Sequence, residues 1–596
     1  MHCTALYTTA FALFEALWEA GITTCFVNLG NDHPSILEAI VKGKRERPDR
    51  WPRMITCPSE ITAISMADGG VHNACVGRAS VLIFSGLCPS TESGELPGSR
   101  TEYAHWLQEP HDQKAIVRQY CRYTVARALQ FACTAPKGPA YVVATREVLA
   151  EELMSYSLHQ DQWGPVGPGA LPADAAYQVA SALAQLERPL IITGYSGRDW
   201  RNPEALVALA DCIPGLRVHD TGGSEMCFPA SHIAWEGFRL ANHACSTDAD
   251  VILVLDCDVP WIPVLNAPRS PGTTRIYHID SDPLNQQILV SFFPAHGRWK
   301  ADSFTAIGQL VDVSRKDYGS LVQRPEYAAR KAARASAHSA TLADIASRVR
   351  LREDTDVLDV HNIGHLLKTY LPDSTTTFVV EAVTSAQSLS DQLQCSRPGS
   401  WINCGGTVIG WSNGAALGVR LALTELAERD RNSSTTTSTP RLVCQVVGDG
   451  SFMCAAPSTA LWVASKYKIP ILTVVLNNGG WKGPRDSARI VYPDGLNASA
   501  TDEEVNTSLR PTPDYAALAE AAAGSEVGWS QTVNNDLVAN NNNDNNDNTS
   551  EHHQQQQQWM QGVRVKTVAE LRRALQRANT RVADEGRGML IETFML

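Results

Sequence analysis

Short apolar runs alternate with helical patterns through most of the chain: TTCFVNLG, SVLIFSGL, GPAYVVAT, RPLIITGYSG, DVILVLDCD, TRIYHID, TFVVEAV, LVCQVVGDG, IPILTVVLNN and GMLIETFM. Apolar runs without polar alternation are strands covered on both faces, and a helix between successive strands supplies the crossover that a parallel ladder needs. The pattern predicts an α/β chain with parallel sheets and helices on both faces, repeated in several units. At 596 residues the chain exceeds what one hydrophobic core takes in, which suggests about three or four domains.

Two joints stand out. WGPVGPGALPADAA (163 to 176) is rich in Pro and Gly, and the stretch from about 318 to 355 is charged, Ala-rich and partly helical in pattern. One segment differs from everything else: NNDLVANNNNDNNDNTSEHHQQQQQ (534 to 558) holds too little apolar surface to order itself and reads as a disordered insertion in a surface loop.

The formal net charge of −12 and the lack of a basic stripe argue against a nucleic-acid partner, whose phosphates need clustered Lys and Arg. The 15 cysteines form no CxxC pair or metal spacing and read as buried thiols of a cytoplasmic protein. MHCTALYTTAFALFEALWEAG carries Glu15 and Glu19 at helical spacing and lacks a basic leader, so it reads as a core helix. No apolar run is long enough to span a bilayer, and no membrane partner is expected.

The most informative local pattern is Gly448-Asp449-Gly450-Ser451 at the end of a strand-like run. By itself a Gly-Asp-Gly is an ordinary turn with the aspartate capping a helix. Here a helical pattern, PSTALWVASKYK, and a second buried run follow, and that run ends in Asn477-Asn478-Gly479-Gly480. In a parallel sheet both strand ends point to one carboxyl edge, where ligands bind. A carboxylate, an amide oxygen and glycine carbonyls are hard ligands suited to Mg²⁺, and the amides of Gly450 and Ser451 can face a diphosphate.

This pairing resembles the motif of thiamine-diphosphate (ThDP) enzymes. The resemblance implies Mg²⁺ ligands in Asp449, the Asn478 side chain and the Gly480 carbonyl, with Gly448, Gly450 and Ser451 beside the diphosphate. It also implies a glutamate against the cofactor's aminopyrimidine, where protonation of the ring lets its amino group generate the ylid; in MITCPSEITAISMADG that residue is Glu60. CGGTVIGWSNGAALGVRLAL (404 to 423) resembles the family's glycine-rich stretch, in which Ile409 would hold the cofactor bent and Thr407 would offer its carbonyl. The likeness covers nearly the whole chain. It implies three doubly wound parallel-sheet domains: pyrimidine-binding (1 to 160, shortened), central Rossmann-like (172 to 320) and diphosphate-binding (355 to 596). It further implies a homodimer or tetramer with each site shared between subunits.

The chain looks like the acetolactate synthase and benzaldehyde lyase branch. GELPGSRTEYAHWLQEPHDQKAIVRQYCRY places Gln108 where that branch has an active-site glutamine, and NLGNDHPSI places Asp32 and His33 on the substrate side as acid/base or orienting residues. The implied reaction is ylid attack on a 2-keto acid, loss of CO₂ and transfer of the carbanion to a second carbonyl or a proton. Acetolactate synthases often bind FAD, but ITGYSGRD is not GxGxxG; FAD is left open and not predicted. Trp481 and Lys482 follow the metal loop as candidate pocket walls.

The chain departs from the family after Glu60. It passes almost directly from that helix into HNACVGRASVLIF, where relatives place the rest of the helix, a whole strand and a glycine-containing loop. A second, shorter shortfall follows Tyr123. Losing a central parallel strand leaves backbone groups without ladder partners, so either the sheet is rearranged or the chain is a shortened product of its gene. The leading expectation is an acetolactate synthase-like carboligase or lyase. The alternatives are a 2-keto acid decarboxylase and a catalytically inactive ThDP-fold regulatory or binding subunit; a nicotinamide or flavin oxidoreductase rests on fold analogy alone.

Overall fold

The computed structural model describes residues 7–30, 32–67, 70–87, 90–91, 95–99, 128–154, 160–268, 272–284, 293–351, 355–406, 408–431, 442–524 and 558–595. The insertion expected at 534 to 558 lies outside them apart from Gln558.

The C-terminal sheet is built from β11 (Thr376–Glu381), β12 (Trp401–Asn403), β13 (Leu442–Gly448), β14 (Leu472–Asn477), β15 (Met560–Val565) and β16 (Gly588–Phe594). Its order is β12-β11-β13-β14-β16-β15, with every pairing parallel. Successive side chains of a strand point to opposite faces, and the two faces bury different clusters. Cys444 and Val446 join Leu367, Leu389 and Leu571 on one side, while Val443 and Val447 join Leu461, Ala464 and Tyr515 on the other. A strand apolar on both sides therefore ends up between two layers of helices. Its one buried polar residue, Gln445, is satisfied by Ser412, Asn413 and Thr473, each at 2.9 Å.

The central sheet has the same plan. Strands β5 (Pro189–Thr193), β6 (Arg217–Asp220), β7 (Trp235–Phe238), β8 (Val251–Leu255), β9 (Arg275–Asp280) and β10 (Gly297–Lys300) run parallel in the order β10-β9-β8-β5-β6-β7. The Ala-rich joint near 318 to 355 forms a helix over Pro325–Ser347, and the Pro/Gly joint runs into a helix at Ala173–Gln185.

The first domain differs. Strands β1 (Thr24–Val27) and β2 (Arg53–Thr56) form one parallel pair, and β3 (Leu82–Leu87) and β4 (Ala140–Thr145) form another. Among the described residues these are separate two-stranded ladders, not the single doubly wound sheet expected there. The physical cause is visible in the chain. The helix Glu60–Ala67 is followed by the helix Gly70–Val76 with only two positions between them, leaving no length for an intervening strand. Both β1 and β3 are half-buried along their length, whereas β5 and β8 are buried throughout. One cluster around Phe11, Phe14, Ile36 and Trp51 still packs against Cys25 of β1 and Phe84 of β3, so the two pairs share a core.

The first domain rests on the third. Gly414 and Gly418 leave room for Ser65 and Met66, since a Cβ on Gly418 would overlap the Met66 carbonyl. Thr62 and Thr459 hydroxyls meet at 2.6 Å, and Glu425 accepts from Thr23 and Thr24 at 2.7 and 2.8 Å.

Candidate active site

β13 and β14 are neighbours in register, Gly448 opposite Leu476, so the turns that follow them emerge side by side. Asp449 opens the short helix after β13 and is 2% exposed. Its Oδ1 accepts the Gly450 amide and its Oδ2 the Gly479 amide, both at 2.9 Å. Burial raises its carboxyl above the ordinary value, and backbone N–H groups led by those of Gly450 and Gly479 oppose that rise. Among the described residues no Lys, Arg or His pairs with it, and a buried carboxylate held by amides alone is chemically suited to a cation.

The two asparagines of the second turn are employed differently. Asn477, 3% exposed, donates from Nδ2 to Glu592 Oε1 at 2.7 Å, while Oδ1 of Asn478 accepts the Gly480 amide at 3.2 Å. Trp481 caps the next helix, Lys482–Val491, and its indole lies over Gly450, where a Cβ would overlap it. Lys482 pairs with Asp502 at 2.6 Å.

A third piece of backbone is held by Glu381, the last residue of β11 and 1% exposed. Its two oxygens accept the amides of Gly410 and Ser412, the latter at 2.6 Å, and so fix the loop carrying half-buried Ile409. Sequence reading passed over Glu381. Its signal was the one that singled out Asp449: an acid in the final position of a buried run, here TFVVEAV. Thr407 lies outside the described residues.

The first-domain candidates stand apart from these turns. Glu60 is the first residue of its helix and its side chain is exposed; among the described residues no hydrogen bond or ion pair joins it to 448–451 or 477–480. Asp32 and His33 sit together at the carboxyl end of β1, half-buried, against Gly86 of β3. His33 Nδ1 accepts the Gly30 amide at 3.2 Å, and burial holds the ring's pKa below the ordinary value. The neutral ring therefore carries its proton on Nε2, which faces Gly86. Gln108 lies outside the described residues.

The donor set suits a hard cation and a phosphate. No three His, Cys, Asp or Glu side chains converge among the described residues, so an ion here would rest on one carboxylate, an amide oxygen and a carbonyl, as Mg²⁺ accepts. Above Gly448 there is open space, with no atom within 4 Å of where a Cβ would be. Around the turns Val383, Val408, Met453 and Trp481 are 49%, 47%, 43% and 43% exposed, an apolar rim beside the site.

Residues 382–540 match the family described as thiamine pyrophosphate enzyme, C-terminal TPP binding domain. The chain is 21% identical over 555 residues to benzoylformate decarboxylase of Pseudomonas aeruginosa, covering 83% of this chain and 91% of that protein. Its structure is similar to the thiamine diphosphate-dependent 4-hydroxybenzoylformate decarboxylase of Rhodococcus jostii RHA1, with a TM-score of 0.69 at 18% identity over 98% and 99% of the two chains. It is also similar to benzoylformate decarboxylase of Polynucleobacter necessarius, with a TM-score of 0.68 at 16% identity over 99% of each chain. These solved structures show a shared fold. No helix among the described residues is long and apolar enough to cross a membrane.

Proposed function

We propose that this chain, which belongs to the thiamine-diphosphate-dependent enzyme family, is a Mg²⁺-requiring 2-keto acid decarboxylase. The relatives are decarboxylases, which favours this reading over the acetolactate synthase-like carboligase expected first. The observation that carries it is the buried Asp449 carboxylate, tied to the Gly479 amide across two strand ends with no Lys, Arg or His beside it among the described residues. Asp449, the Asn478 side chain and the Gly480 carbonyl would hold Mg²⁺, with the amides of Gly450 and Ser451 toward the diphosphate. Asn477 is committed to Glu592, which supports Asn478 as the ligand. Bound ThDP supplies the nucleophilic carbon that adds to the keto group and receives the electron pair released with CO₂.

The protein's part is to place and exclude. Ile409, on the loop fixed by Glu381, underpins the cofactor's bend, and Trp481 keeps water from the metal turn. Glu60 would serve the aminopyrimidine of a second copy, because in its own chain it is exposed and apart from the turns. The assembly would be a homodimer or tetramer, with domains at 1–160, 172–320 and 355–596. Asp32, His33 and Gln108 are proposed to orient the substrate or move protons; the neutral His33 presents its Nε2 proton as a donor.

The split first sheet favours a second reading, a ThDP-fold subunit without catalysis. One experiment separates them: calorimetric titration of ThDP with and without Mg²⁺, followed by a screen of aryl and alkyl 2-keto acids. Mg²⁺-dependent binding with release of CO₂ and an aldehyde supports the decarboxylase, and an acyloin product returns the carboligase. Binding without turnover, or no binding at all, overturns the decarboxylase and the carboligase and supports the inactive subunit.

A further inference from the structure

The helix Gly70–Val76 of the first domain is held on two sides near its carboxyl end. On one side its backbone presses on the loop that carries Ile409. Gly77 and Gly405 meet main chain to main chain: a Cβ on Gly405 would lie 2.2 Å from the Gly77 Cα, and one on Gly77 would lie 3.5 Å from the Gly405 Cα. A Cβ on Gly406 would lie 2.8 Å from Asn73 Oδ1 and from His72 Nδ1, and Asn73 Nδ2 donates to the Val408 carbonyl at 3.4 Å.

On the other side is Arg78, the residue after Gly77. Its guanidinium enters the carboxyl edge of the central sheet, where Nη1 donates to Asp280 Oδ1 at 2.7 Å and Ser281 Oγ at 3.2 Å, and Nη2 to Asp258 Oδ1 at 3.1 Å. It also lies 5.5 Å from the centre of the Tyr195 ring. The arginine side chain is 13% exposed and Asp280 1%, so the pair is shielded from solvent screening. Arg78 has φ +50, a left-handed position at a helix end where glycine is the usual residue. A side chain kept there against backbone strain is held by its contacts.

We infer that Arg78 is a positioning residue for the cofactor-binding loop: anchored in the central domain by Asp258 and Asp280, it sets the helix Gly70–Val76 against Gly405, Gly406 and Val408 and thereby the height of Ile409. The side chain of Arg78 meets the central domain, and the backbone of Gly77 just before it meets Gly405 of the third. The inference rests on the proposed cofactor site only for what the loop is for; the mechanical link stands on the contacts themselves.

The test is hydrogen exchange of the cofactor-free full chain. Arg78→Gly removes the anchor while suiting the left-handed backbone, and Arg78→Lys keeps a charge that reaches one carboxylate. In Arg78→Gly the amides of 404 to 413, including Gly410 and Ser412 on Glu381, are expected to exchange about tenfold faster or more, with Arg78→Lys in between. Strands β5, β8 and β13 should keep wild-type protection. Unchanged exchange at 404 to 413, or equal acceleration across both six-stranded sheets, overturns the inference. If Arg78→Gly fails to fold, Asp258→Asn tests the same link by the same readout. ThDP titration of both proteins then separates the two ideas: a wild type that binds no ThDP refutes the cofactor reading and leaves the exchange result to decide the role of Arg78.

Discussion

Asp449 Oδ2 accepts the Gly479 amide at 2.9 Å, joining the turns that end β13 and β14 through one carboxylate. Because a buried charge balanced only by amide dipoles favours a cation, Asp449→Ala is expected to abolish Mg²⁺-dependent ThDP binding in calorimetry. It should also cost about 1–3 kcal/mol of cofactor-free stability, since two amides lose their acceptor. Tight Mg²⁺-dependent binding by the variant would remove Asp449 from the metal site.

Glu60 is exposed in its own chain, which makes its role a question about two chains. Glu60→Gln should retain ThDP yet lose at least about 10²-fold in turnover, the usual worth of a positioned proton-transfer group. Mixing Glu60→Gln and Asp449→Ala subunits, each inactive alone, is expected to restore activity, because a mixed dimer holds one site with both residues intact. Failure of the dissociated and reassociated mixture to regain turnover, with mixed dimers verified by mass, would place Glu60 and Asp449 in sites of a single chain or outside catalysis.

In the two six-stranded sheets β5, β8, β9, β11, β13, β14 and β16 were legible because they are buried on both faces, so no polar alternation blurs runs such as LVCQVVG; β6, β7, β10, β12 and β15 are short or partly exposed and left no such run. The two turns after β13 and β14 were legible for the same reason: a parallel sheet must bring them to one edge. What lay hidden depends on contacts between distant positions. Arg78 meets Asp280 across 202 residues, and Glu381 meets Ser412 across 31, and neither pairing leaves a mark in local periodicity. The shortened first domain was visible as missing length, but its outcome, two parallel pairs sharing one core, follows from packing around Phe11 and Trp51. Thr407 and Gln108 were assigned by resemblance and lie outside the described residues.

His219 on β6 is 1% exposed, and burial, helped by neighbouring His243, pushes its pKa down from 6.5 to about 3. Its folded pKa is thus depressed, so the stability it contributes is present above about pH 6.5 and is lost as pH falls toward 3. In His219→Asn that loss is absent. The variant should be less stable than wild type by about 1 kcal/mol at pH 7.5, where the 3.1 Å contact with Gly237 O is intact in the wild type. The gap should narrow by up to ~1.4 kcal/mol per pH unit below 6.5. Urea midpoints measured at pH 7.5 and 4.5 give the answer, and a constant gap would mean that His219 is protonated in the fold.

Glu381 offers a sharper test of the loop than removal of Ile409, because its two oxygens each take one amide, Gly410 and Ser412. Glu381→Gln has nearly the same shape but turns an acceptor into a donor, so one buried N–H faces an NH₂ group. The expected cost is about 1–3 kcal/mol. Burial raises the Glu381 pKa above 4.5, so the wild-type carboxyl contributes most stability below 4.5 and loses it as pH rises through the folded value. The variant should lack that slope, and the difference between the two proteins should therefore shrink as pH rises above 4.5. If the loop seats the cofactor, ThDP affinity falls in the variant at the same time, whereas equal affinity with a lower melting temperature would make Glu381 a structural acid with no part in binding.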